Sequence, residues 1–239
     1  MRIVDRIASK AQFAGYLARS GQYKTVLNTL GDKIWGDTIS FGLHRDLSIP
    51  FPAPESNIPI TVRKATQLDV DRIMDVTEPG LPIEEINIRH SRGLEYNTGV
   101  HNAYVAVTED DVPCYFQLVV YSRQNSVIRK LWGKTFPVLN SGQVLLEGAV
   151  TPPNFRGKRI MPRAMALISD AIVIDNETEA ITFVDVTNIA SLKGCYRAGY
   201  VPFCYRIRHR RFFYEYIKVL PVAGDIVIPE ISESGPRSA

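Results

Sequence analysis

Hydrophobic residues in the middle of the chain change from one period to another, and the change marks a strand followed by a helix. Residues 144–151 are almost continuously apolar, which is typical of a buried strand. Gly148 interrupts this run, and a glycine inside a strand indicates a bulge or a close backbone approach. After Pro152 and a short basic loop, apolar positions from Ile160 to Ala171 recur at three- and four-residue spacing, which predicts an amphipathic helix.

The same periodicities, followed along the whole chain, predict a helical N-terminal extension and one larger domain. Residues 1–36 predict two short helices, and the prolines between residues 50 and 59 predict an extended arm. We therefore expect an extension over residues 1–58 that stays outside the central sheet, a main domain over 59–220 and a tail over 221–239. Within the main domain the pattern predicts strands at 60–64, 103–107, 114–121, 180–186, 200–206 and 212–219 and helices at 69–76, 82–92 and 188–198.

The composition narrows the class of protein. Of the 239 residues, 45% are hydrophobic and 22% are charged, which is typical of a soluble globular protein. No apolar run approaches the ~20 residues of a membrane span, and the N-terminus lacks the apolar core of a secretory signal, so we expect a cytoplasmic protein. A net charge of +3 is too small to indicate by itself that the protein binds nucleic acid. Three widely spaced cysteines and four histidines without ligand spacing predict neither a disulfide framework nor a metal site.

The loop between the central strand and its helix carries three cations, Arg156, Lys158 and Arg159, together with Gly157. The first N–H groups of a helix have no partner inside the helix, and the helix dipole adds partial positive charge at that end. This combination predicts a site for a phosphate or pyrophosphate group. The alternative is an ordinary strand–loop–helix connection with a solvated basic turn.

Two blocks of the sequence resemble the GNAT superfamily of acetyl-CoA-dependent N-acyltransferases. The block from Thr151 to Met161 is similar to the coenzyme A loop of that family. The block from Asn188 to Tyr200 is similar to the later family block that reads N-x-x-A/S and ends in G-F. The two blocks lie in the order and at the distance found in the family, and the resemblance covers about residues 59–219.

The resemblance implies an α+β fold with a mixed, mostly antiparallel sheet and helices on both faces. Two parallel strands of that sheet, ending here at residues 150–151 and 181–185, would splay apart and admit the pantetheine arm. The resemblance also implies acetyl-CoA or another acyl-CoA as cosubstrate and no metal. The residues that would contact coenzyme A are Ala149, Val150, Thr151, Arg156, Gly157, Lys158, Arg159, Ile160, Met161 and Asn188.

Three residues are candidates for the proton transfers that acyl transfer to an amine requires. Glu147 is a carboxylate in an otherwise apolar strand, where burial would raise its pKa towards the range of a general base; alternatively, it is a strand-edge glutamate facing solvent. Asp185 is placed similarly on the neighbouring strand. Cys195 stands where many family members carry a catalytic tyrosine, and is either the acid for the thiolate or an inert thiol. Asn188 resembles the family's asparagine near the cofactor arm and equally suits a helix N-cap.

Two classes of function follow. The first is an N-acetyltransferase that moves an acetyl or other acyl group directly from coenzyme A to the primary amine of a small molecule, with a homodimer as a possible assembly. The second is a non-catalytic, coenzyme A-binding regulatory protein, favoured by Arg159 and Met161 in place of the family's later loop glycines. A long-chain N-acyltransferase using acyl-carrier protein is a variant that the insertion at 122–142 and the N-terminal extension would serve by shaping a wider pocket. The cation-rich residues 206–211 form either a solvated turn or a site for an acidic acyl-carrier protein or an acceptor with phosphate or carboxylate groups. No nucleic-acid-binding module accompanies these cations.

Overall fold

The computed structural model describes residues 35–173, 176–212 and 214–222. Their Cα positions divide them into two compact units. One unit contains residues 40–205 and 220–222, and the other contains residues 35–39 and 206–219. Every candidate site residue named above belongs to the first unit.

The described residues form eight strands and five α-helices. The strands are β1 (Trp35–Asp46), β2 (Thr61–Lys64), β3 (Ala103–Val107), β4 (Pro113–Tyr121), β5 (Gln143–Val150), β6 (Glu179–Asp185), β7 (Val201–Arg211) and β8 (Tyr214–Pro221). The helices are α1 (Gln67–Ile73), α2 (Ile83–Thr98), α3 (Asn125–Trp132), α4 (Ile160–Val173) and α5 (Ile189–Arg197).

The strands lie in one sheet in the order β2-β3-β4-β5-β6-β1-β7-β8. The pairs β2–β3, β3–β4, β4–β5 and β1–β6 are antiparallel, whereas β5 and β6 are parallel. The predicted α+β class with a mixed, mostly antiparallel sheet is therefore confirmed.

Strand β4 is buried along its whole length, because helices cover both faces of the sheet. Its side chains alternate between two separate apolar clusters, as successive residues of a strand must. Tyr115 and Val119 pack in the cluster that contains residues of α4 and α5. Phe116 and Leu118 pack in the cluster that contains residues of α1, α2 and α3. The prediction of helices on both faces is confirmed.

Strand β1 corrects the prediction that residues 1–58 stay outside the central sheet. Residues 40–46 pair with β6 without interruption, and Leu43 is only 2% exposed in the core. The strand fits because residue 42 is glycine: a Cβ on Gly42 would lie 2.5 Å from Sγ of Cys204. The same glycine interrupts the apolar alternation, so the sequence pattern does not reveal the strand.

The other predicted helices and strands are present, but α2 and β7 extend beyond their predicted ends. The helix predicted at 82–92 continues to Thr98, because Tyr96 is buried in the core, and the strand predicted at 200–206 continues to Arg211. The insertion at residues 122–142 contains α3. The predicted helices over residues 1–36 lie outside the described residues, apart from residues 35 and 36, which begin strand β1 instead. The tail from residue 223 also lies outside the described residues. Among the described helices, none is long and apolar enough to cross a membrane.

We expect Leu43→Ala to destabilise the protein by about 2–5 kcal/mol, because it removes a buried side chain and leaves a cavity. Ile39→Ala is the matched control on the same strand, since Ile39 is 42% exposed and its truncation should change stability by only about 0.5 kcal/mol. Urea unfolding followed by circular dichroism measures both variants. Equal, small effects would show that β1 contributes little to the core.

Candidate active site

Strands β5 and β6 are paired only at their beginnings. Their parallel register runs from Gln143 opposite Glu179 to Leu145 opposite Ile181, and the described residues show no pairing between the two strands beyond that point. Each strand continues along its other neighbour, β5 along β4 and β6 along β1. The predicted splay between the parallel strands is therefore confirmed, and it leaves a gap inside the sheet.

A bulge in β5 lies beside this gap. Phe116 of β4 pairs with Val150 and Leu118 pairs with Glu147, so the β5 segment contains one residue more than the β4 segment that it faces. Gly148 lies in this bulge with φ +68°, a left-handed conformation that favours glycine. A Cβ at this position would lie 3.0 Å from Cδ1 of Leu118. The glycine is thus required by both its backbone conformation and its neighbours, as the interruption in the apolar run predicted.

A cavity of about 230 Å³ occupies the gap, with β5 on one side and β6 on the other. It brings together six of the predicted site residues, Glu147, Ala149, Met161, Asp185, Asn188 and Cys195. The other predicted residues lie at the end of β5 and in the following loop and do not line this cavity. Residues that the sequence did not single out also line it, among them Arg92 and Gln117.

Glu147 is partnered, and does not stand alone in an apolar strand as its sequence context suggested. Its Oε1 lies 3.4 Å from Nη2 of Arg92, and its side chain is 14% exposed. Nη1 of Arg92 donates to Oε2 of Glu95 at 2.8 Å. Burial opposes the charge of Arg92, but the carboxylates of Glu147 and Glu95 raise its pKa overall, so the guanidinium stays charged.

The main chain at Glu147 is fixed by Gln117 of β4. Nε2 of Gln117 donates to the carbonyl oxygen of Glu147 at 2.9 Å, and its Oε1 accepts from the hydroxyl of the fully buried Tyr115. A buried amide with both ends bonded has one orientation, so it holds the bulged segment in place. In the sequence, Gln117 is one polar residue in an apolar strand, and no spacing links it to Glu147.

Cys195 is a buried thiol, and the structure does not support it as an acid. Its Sγ lies 3.9 Å from Sδ of Met165, and burial raises its pKa to about 12. A thiol that holds its proton this strongly cannot readily give it to a leaving thiolate. Burial therefore favours the inert thiol over the acid as the role of Cys195.

Asp185 and Asn188 shape the turn between β6 and α5. The Asp185 carboxylate accepts hydrogen bonds from the backbone N–H and the hydroxyl of Thr187, at 2.9 and 2.6 Å. Oδ1 of Asn188 accepts from the backbone N–H of Ser191 at 3.1 Å, which makes Asn188 the N-cap of α5. Both side chains line the cavity while ordering this turn.

The basic loop is attached to α2 through Arg156. Nε of Arg156 donates to the carbonyl of Thr151 at 2.9 Å, and Nη2 forms an ion pair with the buried carboxylate of Glu85. The other oxygen of Glu85 accepts from Nε of the buried Arg89 at 3.2 Å. Arg156 thus forms an ion pair with α2, a partner that its prediction as a phosphate ligand did not include. No spacing in the sequence links Glu85 to Arg156.

The rest of the loop leads directly into the N-terminus of α4. Gly157 and Arg159 both have left-handed backbones, with φ +76° and +57°, and Ile160 begins the helix. Nζ of Lys158 lies 5.2 Å from the ring centroid of Phe155. The first N–H groups of α4 have no partner inside the helix, and the helix dipole favours an anion at this end. Arg159, which is exposed, adds a full positive charge there.

Comparison with known proteins gives structural likenesses only. No protein-family profile and no curated protein sequence matches the chain. A GCN5-related N-acetyltransferase from Sphaerobacter thermophilus is 15% identical with a TM-score of 0.45, over 85% of this chain and 58% of that one. A GNAT-family acetyltransferase from Colwellia psychrerythraea is 13% identical with a TM-score of 0.47, over 76% and 59%. A GNAT-family acetyltransferase from Brucella melitensis in complex with acetyl-CoA is 12% identical with a TM-score of 0.37, over 70% and 91%.

The chain thus spans less than three-fifths of the length of the first two of these structures.

We expect Cys195 and Cys114 to resist alkylation in the folded protein. Both are buried, and burial raises their pKa values to about 12 and about 11. At pH 8 roughly a quarter of an unperturbed thiol with pKa ~8.5 is thiolate, but only about one Cys195 side chain in ten thousand. Iodoacetamide labelling with mass spectrometry, in native buffer and in urea, measures the difference. Rapid native labelling of Cys195 would restore it as a reactive group.

Proposed function

We propose that this chain transfers an acyl group from a coenzyme A thioester to the primary amine of a small molecule. The gap between β5 and β6 carries the proposal. Beyond Leu145 and Ile181, each strand directs backbone N–H and C=O groups into the gap, as a strand does at the edge of a sheet. The pantetheine arm of coenzyme A contains two amide groups, which would complement these strands as an added strand does.

The loop after β5 supports coenzyme A as the cosubstrate. The pyrophosphate would lie at the N-terminus of α4, where free N–H groups and the helix dipole favour an anion. Lys158 and Arg159 would supply the full charges. Arg156 would act indirectly, because its ion pair with Glu85 keeps the loop against α2.

In the proposed reaction the amine nitrogen bonds to the thioester carbonyl carbon, and the C–S bond breaks to release the thiolate. Backbone N–H groups of Ala149 and Val150, beside the bulge, would donate to the carbonyl oxygen as it gains negative charge. Glu147 would take the proton that the amine loses, directly or through a water molecule. Water would protonate the thiolate, since Cys195 holds its proton too strongly.

Removing the loop charges should weaken the binding of coenzyme A at least tenfold, about 1.4 kcal/mol. The test variant is Lys158→Ala with Arg159→Asn, because asparagine tolerates the left-handed backbone of position 159. Lys134→Ala, which removes an exposed lysine elsewhere, is the control for net charge. Isothermal titration calorimetry measures all three proteins. Unchanged affinity in the folded double variant would reject the loop as the pyrophosphate site.

Glu147→Gln should lower turnover by about 10²- to 10⁴-fold, because it keeps the shape of the side chain and removes the base. Turnover is measured as thiol release from acetyl-CoA against a library of primary amines. The wild-type rate should fall as pH drops and protonates the base, and the variant should lose this acidic limb. Glu84→Gln, at an exposed position of α2, is the control.

Coenzyme A affinity should change little in Glu147→Gln, since the carboxylate lies away from the loop. A variant that keeps turnover within about threefold of the wild type would show that Glu147 is not the base. Binding of coenzyme A without thiol release for any amine or acyl donor would instead favour the non-catalytic, coenzyme A-binding alternative.

A further inference from the structure

The guanidinium of Arg92 lies between two carboxylates that come from different parts of the fold. Glu95 is one turn further along α2 and lies 2.8 Å from Nη1. Glu147 is on β5 and lies 3.4 Å from Nη2. The three side chains are 26%, 13% and 14% exposed, so solvent screens their charges only partly. Each carboxylate therefore influences how strongly Arg92 interacts with the other.

The second oxygen of Glu95 is also occupied. Oε1 of Glu95 accepts a hydrogen bond from Nε1 of Trp132 at 3.0 Å, and the indole packs edge-on against Phe136 at 5.2 Å between ring centroids. Trp132 is the last residue of α3, within the insertion. The result is a continuous line of polar contacts from α3 through α2 to β5. Glu95 is held by this line and does not turn away from Arg92.

The bulge makes room for this arrangement. A Cβ on Gly148 would lie 3.1 Å from Cδ of Arg92, which is closer than most real Cβ contacts, and 3.4 Å from its Nε. The stem of Arg92 therefore lies directly over the glycine that follows Glu147. The same residue that lets β5 bulge also lets the guanidinium approach the carboxylate beside it.

We propose that Arg92 is a positioning residue that keeps Glu147 ionised and directed at the cavity, and that Glu95 sets the strength of this effect. The proposal rests on the proposed function for the role of Glu147 as a base. A base must be deprotonated before the amine arrives, and a neighbouring cation favours that form. A second carboxylate on the same cation moderates the effect, so that Glu147 can still accept a proton.

The titratable groups around Glu147 come from three elements. Arg92 and Glu95 approach from α2, Asp185 lines the same cavity from β6, and the protonated thiol of Cys195 approaches from α5. Gln117 of β4 is neutral. Among the described residues that line the cavity, Arg92 is the one cation, so its removal should favour protonation of Glu147.

The test is a ¹³C NMR titration of glutamate carboxyl groups in the full chain, with the Glu147 signal assigned by its loss in Glu147→Gln. In Arg92→Gln the titration midpoint of Glu147 should rise by about one pH unit or more, because the neighbouring cation is gone. In Glu95→Gln it should fall, because Arg92 then interacts with Glu147 alone. Glu84→Gln, on the exposed side of α2, should leave it unchanged.

Opposite shifts of the Glu147 midpoint in Arg92→Gln and Glu95→Gln would support the proposal. A merely structural disturbance would not shift the midpoint one way when a cation is removed and the other way when a carboxylate is removed. Shifts in the same direction, or none, would overturn the proposal. If Arg92→Gln fails to fold, Arg92→Lys keeps the charge and should hold the midpoint near that of the wild type. The direction of the midpoint shift in Glu95→Gln then tests the proposal: a fall supports it, and a rise or no change overturns it.

The acidic limb of turnover should follow the NMR midpoint in each variant. The midpoints could move as expected while the protein releases no thiol with any amine. That result would reject the proposed function but would still support the coupling of Arg92 to Glu147. If the NMR midpoint of Glu147 moves but the acidic limb of the pH–rate profile stays fixed, Arg92 is not a positioning residue of the reaction.

Discussion

A sheet can open between two parallel strands only when each strand is held by another neighbour, and this constraint governs the molecule. Strands β5 and β6 separate after Leu145 and Ile181, and they remain ordered because β4 pairs with one and β1 with the other. Helices α4 and α5 pack against the same sheet and close the gap from one face. The cavity is therefore built from strands whose positions are fixed elsewhere.

Charge is distributed along this gap in a way that suits two different ligands. The loop before α4 presents Lys158 and Arg159 with the positive end of a helix, whereas the cavity between the strands presents Glu147 and Asp185 with a single guanidinium. An anionic group and an amine would therefore be drawn to different parts of one site. Such separation keeps the phosphates of a cosubstrate away from the carboxylate that would handle the proton.

The sequence predicted what short-range chemistry determines. The strand, the bulge and the helix around Gly148 follow from residues close together in the chain, and all three are present. The partners of these residues could not be predicted in this way. Arg156 meets Glu85 across 71 positions, and Arg92 meets Glu147 across a comparable distance. Each is one charged residue on a helix or loop, and only the folded chain distinguishes it from a solvated one.

The short pairing between β5 and β6 also determines what can reach the unpaired backbone groups of these two strands. Unpaired strand groups at the outer edge of a sheet can recruit strands from other molecules and start aggregation. Here the unpaired stretch lies inside the sheet, with β4 and β1 flanking it, so the rigid strand of a second molecule has no lateral approach. A thin, flexible chain with amide groups can still thread between the strands. The fold thus keeps hydrogen-bonding groups available to a slender ligand while denying them to its own copies.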